Sequence, residues 1–133
     1  MALKSDPDDW TDPRHRRGVQ GEQEAASFLE SRGWEILAHR FRMGRLEIDL
    51  IARRGRLVSF IEVKTRRGEA FGTPFQAVTW GKQREIVRVA RAWMDRHGTS
   101  GDIYRFDVVG VMHGPHGVAT IQHLEDAFRP GWR

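Results

Sequence analysis

Residues 46–65, LEIDLIARRGRLVSFIEVKT, decide how this chain is read. Two apolar runs, LEIDLIA at 46–52 and LVSFIEVKT at 57–65, flank the turn-forming RRGR at 53–56, the pattern of two strands joined as a hairpin. Asp49 lies among Ile48, Leu50 and Ile51, and Glu62 among Phe60, Ile61 and Val63. Strands this apolar read as buried on both faces, where a carboxylate is costly unless it is neutralised or used. Strand side chains alternate, so Glu62 and Lys64 point the same way, and Glu47, Asp49 and Ile51 fall on one face of the preceding strand. Hairpin pairing then lets Asp49 approach Glu62. Two carboxylates side by side suit a hard divalent cation, magnesium or manganese, which takes oxygen ligands. Lys64 fits beside them as a fixed positive charge; service as a base would require it to shed its proton. The other reading of the same residues is the polar face of a half-exposed hairpin.

Outward from this hairpin the periodicity orders the rest. Residues 1–17 are rich in Asp, Pro and Arg and read as a flexible arm ahead of a single domain over 18–133. Residues 18–32 are helical, with Val19, Ala25, Ala26, Phe28 and Leu29 as the apolar stripe and Gly33 as the stop. Residues 34–42 form a strand. After a loop with Gly68, Gly72 and Pro74, the helical period returns from Phe75 to His97, and strands follow at 103–112 and 118–124. The order predicts a mixed α/β domain built on one central sheet.

Composition narrows the function classes. The chain has 133 residues, no cysteine and a net charge of +4, which excludes disulfides, cysteine nucleophiles and zinc fingers. No apolar run reaches the length of a membrane span, and the N-terminus lacks the apolar centre of a signal peptide, so a cytoplasmic protein with no membrane partner is expected. Charge is uneven. Residues 45–67 hold Arg45, Arg53, Arg54, Arg56, Lys64, Arg66 and Arg67 against Glu47, Asp49 and Glu62, while residues 1–12 hold Lys4 against four aspartates. A basic rim around acidic residues suits a phosphate-bearing partner; a solvated turn explains Arg53, Arg54 and Arg56 equally well.

Two further charges interrupt apolar stripes. Glu22 shares a helical face with Ala25, Ala26 and Leu29, so it either points at the sheet or favours the first-turn dipole. Lys82 lies in register with Phe75, Val78, Ile86, Val89 and Trp93, either snorkelling to water or reaching a phosphate. Asp107 in RFDVV, with Arg105 on its face, reads as a structural ion pair. His113 and His116 read as surface residues and Trp34 and Trp93 as core; Trp80 and Trp132 read either as rings that stack on bases or, more simply, as packing residues.

Gly21-Glu22 with Ala25, then LEIDLIA, FIEVKTR, FGTP, a helix carrying Lys82, and RFDVV together resemble the YraN family over about residues 18–126. These small bacterial proteins are similar to archaeal Holliday-junction resolvases. The resemblance implies a restriction-endonuclease-like fold with an αβββαβ core flanked by helices, and a metal-dependent nuclease acting on branched or flapped DNA. Asp49, Glu62 and Lys64 match the catalytic signature, with Asp49 and Glu62 as metal ligands. Glu22 matches the helix glutamate beside them, Glu47 the first acid of the family's strand run, and Lys82 the helix lysine. Arg45 and Arg66 join Lys82 as expected DNA contacts. Leu46 stands where the family usually has glycine and Gln76 where it often has glutamate. Junction cutting in pairs implies a two-fold homodimer. A nucleic-acid-binding module of the same fold with little or no cleavage and a purely structural charge network remain the alternatives.

Overall fold

The computed structural model describes residues 16–67, 78–114, 117 and 119–131. Its elements run α1 (Arg16–Ser31), β1 (Glu35–Met43), β2 (Leu46–Arg54), β3 (Leu57–Arg67), α2 (Trp80–His97), β4 (Ile103–His113) and β5 (Ala119–Leu124). The strands form one sheet in the order β1-β2-β3-β4-β5, antiparallel except for the parallel pair β3–β4, which α2 connects. This is the αβββαβ order with one strand added, the mixed α/β architecture the hairpin and periodicity predict.

Both hairpins turn in two residues with glycine first, Gly44-Arg45 and Gly55-Arg56, and both glycines hold positive φ, +61° and +64°. That backbone matches the twist of the flanking strands and is open to glycine at little cost. The second turn is therefore tighter than the four residues expected, and Arg53 and Arg54 belong to β2.

Each helix covers one face. Ala25, Ala26 and Leu29 of α1 pack with Trp34, Ile36, Leu50, Ala52, Ile61, Val109 and Val111. Ile86, Val89, Ala90 and Trp93 of α2 pack with Ala38, Ile48, Ile51, Val58, Phe60 and Phe106 on the other side. Burial on both faces is why β2 and β3 carry near-continuous apolar runs.

Helix boundaries differ from expectation in two places. α1 starts at Arg16, so Glu22 lies beyond the first turn and the dipole reading of it fails. α2 starts at Trp80, because the Thr79 hydroxyl accepts the Lys82 N–H at 3.2 Å and caps the helix there. Val78 precedes the helix rather than joining its stripe, and Phe75 and Gln76 lie outside the described residues. So do His116, Trp132, most of the predicted arm and the loop glycines. No helix among the described residues is long and apolar enough to cross a membrane.

Candidate active site at a split in the sheet

The β2–β3 pairing runs from Arg54↔Leu57 to Leu50↔Ile61 and ends there. One more step would pair Asp49 with Glu62. Instead the Asp49 carboxylate turns into the gap and accepts the Val63 N–H on Oδ2 at 2.8 Å. Beyond this point β2 stays with β1 and β3 stays with β4, so the sheet forks.

The fork has a local cause on β1 and β2. In a regular strand Ile48 and Leu50 would share a face. Here Ile48 packs with the α2 cluster and Leu50 with the α1 cluster. The register pairs Ile48 with Phe41 and Leu50 with His39, and between them Arg40 holds φ +53°. A bulky residue in that conformation is strained, and strain of this kind gathers at functional sites. The simple alternation that put Glu47, Asp49 and Ile51 on one face therefore breaks at Asp49.

Glu62 and Lys64 lie on the α2 face. Glu62 is only 6% exposed. Its Oε1 faces two ammonium groups, Lys64 Nζ at 3.5 Å and Lys82 Nζ at 4.0 Å. Its Oε2 is buried with no hydrogen-bond partner. Lys82 reaches this point because it extends the stripe of Ile86, Val89 and Trp93 by one turn toward the sheet. The shared face of Glu62 and Lys64 holds, and Lys82 turns toward Glu62 at the sheet.

Glu22 also points inward, 4% exposed, on the α1 side. Gly21 allows α1 to come this close: a methyl group at that position would collide with the Thr65 hydroxyl of β3. Both Glu22 oxygens are engaged. Oε1 lies 2.9 Å from His39 Nε2 and accepts Arg40 Nε at 2.9 Å, and Oε2 accepts Arg40 Nη2 at 2.8 Å. His39 and Arg40 are the residues that sequence reasoning missed. An arginine and a histidine in the middle of the apolar strand WEILAHRFR are the same anomaly that singles out Asp49.

Electrostatics separate the three acids. Burial pushes the Asp49 carboxyl up, the nearby Glu62 and Glu22 charges push further, and the Val63 N–H and Lys82 only partly oppose, so it titrates well above the usual range. Burial likewise raises Glu62, and Lys82 and Lys64 fall short of cancelling it. At Glu22 burial also acts upward, but the hydrogen bonds from Arg40 and His39 outweigh it and leave the carboxyl below its ordinary value.

The remaining predicted contacts are more peripheral. Arg66 is half-buried at the end of β3 and donates to the Thr65 carbonyl at 3.0 Å. Arg45 is exposed at the tip of the first hairpin, with no ion pair among the described residues. Glu47 pairs with Arg42 across β1–β2 at 3.0 Å. His113, expected at the surface, is half-buried and bonds Glu24 of α1 at 2.9 Å.

The donors fit an oxygen-ligated divalent cation of the magnesium type. A buried carboxylate, Glu62, and a half-buried one, Asp49, repel one another across the fork, and Glu62 Oε2 has no other partner. Among the described residues no group of three or more acids and histidines forms a complete metal cage. A site of this kind leaves the other coordination positions to water and phosphate oxygens, as magnesium commonly does.

Fold and site together define a restriction-endonuclease-like α/β domain that gathers two acids and two lysines where its sheet forks. The residues bearing on the fork, from Glu22 to Lys82, fall within one recognisable span. Residues 21–111 match the model of the Uncharacterised protein family UPF0102, and the chain belongs to that family, the YraN family of the resemblance. A UPF0102 protein of Symbiobacterium thermophilum is 46% identical over 113 residues, covering 85% of this chain and 96% of that relative. One from Chlorobium chlorochromatii is 45% identical, covering 84% and 89%. One from Nocardia farcinica is 44% identical, covering 84% and 87%.

Proposed function

We propose that the protein is a metal-dependent endonuclease that cleaves phosphodiester bonds in branched or flapped DNA. The observation that carries this reading is the unpartnered Glu62 Oε2 beside Asp49, in a fork edged by Lys64 and Lys82. A buried carboxylate oxygen without a partner calls for an account, and a cation ligand is one; among the described residues the Ser59 hydroxyl is the other buried side-chain atom without a hydrogen bond. Asp49 and Glu62 would hold magnesium or manganese, which supplies a Lewis acid for the phosphate and a more acidic bound water.

The chain's own residues have separate tasks. Lys64 places its ammonium where charge builds on the phosphoryl oxygens as water, giving up a proton to solvent, bonds to phosphorus and one P–O ester bond breaks. The leaving oxygen takes its proton from solvent. Lys82, on the same side of Glu62, neutralises the phosphate as it enters. Arg66 and Arg45 extend the positive rim along the backbone. Glu22 acts by holding Arg40 and His39 at the fork, because its oxygens are already engaged. That engagement is also the observation favouring the second reading, a binding module of the same fold with little cleavage.

Labelled branched, flapped, single-stranded and duplex DNAs incubated with magnesium or manganese test the proposal. Cutting is expected on the branched or flapped forms, and Asp49→Ala should lower its rate by at least about a hundredfold, the scale of losing a main electrostatic contributor. Binding with no cutting under either metal would leave the binding module. Cutting that survives Asp49→Ala would place the chemistry elsewhere.

A further inference from the structure

The outward face of α2 carries an exposed aromatic at its start and a row of exposed arginines. Trp80, the first residue of the helix, is 72% exposed. Among the described residues its ring meets no other ring or cation, so packing does not account for it. A single exposed apolar side chain is ordinary. This one stands at the end of α2 nearest the fork: Lys82, half a turn on and on the opposite side of the helix, brings its ammonium to 4.0 Å from Glu62. Arg84, Arg88 and Arg91 follow on the side of Trp80, one per turn and all exposed, opposite the buried stripe of Ile86, Val89 and Trp93. No ion pair holds Arg84 or Arg88 among the described residues. The first turn contains no acid, so the positive end of the helix dipole adds to the same field.

We propose that this face binds a single-stranded DNA segment beside the cleavage site, with Trp80 stacked on an unpaired base and Arg84 and Arg88 taking successive backbone phosphates. The inference rests on the nucleic-acid reading above and sharpens its substrate class. An exposed indole stacks on a base whose face is free, and intact duplex offers such faces only at its ends. Arginines one helical turn apart, about 6 Å along the axis, can follow consecutive phosphates of one strand. A polyanion is the occupant that complements this charge. The substrate is then DNA with an unpaired stretch next to the scissile bond, a flap or fork arm rather than continuous duplex.

The test uses the full chain carrying Asp49→Asn, so that titrations are not confused by cutting. Fluorescently labelled oligothymidine and a long blunt-ended duplex, whose two ends are a small fraction of its binding positions, are titrated without metal. Trp80→Ala should weaken oligothymidine binding about tenfold and shift duplex binding by less than about twofold. Trp80→Phe should retain most of the affinity, since the ring is kept. Arg84→Gln with Arg88→Gln should lower the salt slope on oligothymidine by about 1.4, two phosphates' worth for a single strand. All four side chain changes lie on the exposed face, and circular dichroism should show the fold unchanged. Unaltered oligothymidine binding by Trp80→Ala, or an equal loss on both DNAs, overturns the proposal. If the parent chain binds DNA but never cuts it with magnesium, the nuclease reading falls and this surface stands. If it binds no DNA at low salt, both fall.

Discussion

Glu62 and Asp107 are buried acids one step apart on neighbouring strands, since β3 and β4 pair Ile61 with Asp107 and Glu62 with Val108. They lie on opposite faces of the sheet and have opposite fates. Asp107, 1% exposed, accepts Arg105 Nε and Nη2 at 2.8 and 2.9 Å, bonds His123 Nε2 at 2.7 Å and accepts the Asp126 N–H at 2.9 Å. Burial pushes its carboxyl up, but His123, Arg105 and the Asp126 N–H bring it down to about 2. Glu62 has two distant ammonium groups on one oxygen, nothing on the other, and a raised pKa. Burial is common to both, so burial does not separate a structural charge from a functional one. The match between each oxygen and its donors does.

Removing a matched acid and an under-matched one should therefore act in opposite directions on stability. The largest effect is expected for Asp107→Ala, which strips the half-buried Arg105 of its bidentate partner, leaving it only the exposed Glu125 at 3.6 Å, and unties β5 and the Asp126 turn from β4. A loss of about 3–5 kcal/mol in chemical denaturation is expected. A loss below about 1 kcal/mol would mean that Asp107 and Glu62 are not so different. Asp49→Asn, at the under-matched end, should instead raise stability without metal by about 1 kcal/mol. It removes a charge that burial and two other acids disfavour, while the amide oxygen can still accept the Val63 N–H. A lower Tm for this variant would show Asp49 to be well matched after all.

The smallest expected effect is in pH. Because the Asp49 and Glu62 carboxyls are raised in the folded chain, that chain keeps protons which the unfolded chain has already released. Their contribution is present below the ordinary carboxylate range and is lost as pH climbs through the raised folded values. Millimolar magnesium should restore about 3 °C of Tm at neutral pH, and progressively less as acid reprotonates its ligands. Asp107 titrates the other way: its contribution is full above the ordinary carboxylate range and fades as pH falls toward 2. A magnesium shift that is unchanged by Asp49→Asn would remove that residue from the ligand set.

The parts of the site legible in the sequence were those where chemistry contradicted pattern. Asp49 and Glu62 stood inside apolar runs, and Glu22 and Lys82 inside apolar stripes; the fork gathers Asp49, Glu62 and Lys82, and Glu22 reaches it from α1. Alternation was reliable wherever the strands were regular and misled at Asp49, because the positive φ of Arg40 on the neighbouring strand resets which face each residue takes. That conformation has no local signature in WEILAHRFR. Arg40 and His39 could have been found as charged or polar residues in a buried strand, but their partner is on α1, seventeen or more residues away in the chain. The exposure of Trp80 depended on where α2 begins. Extending its periodicity back to Phe75 put Trp80 in the body of a helix, whereas the Thr79 cap puts it at the tip.

Gly21 gives the close approach of α1 a cost in sequence design. A glycine inside an exposed helix is a common target for stabilisation, since alanine favours the helix by about 1 kcal/mol. Here the added methyl would meet the Thr65 hydroxyl, so the usual improvement would wedge α1 away from β3 and carry Glu22 off Arg40 and His39. The helix is held below its own best stability so that its neighbour on the chain can reach the fork.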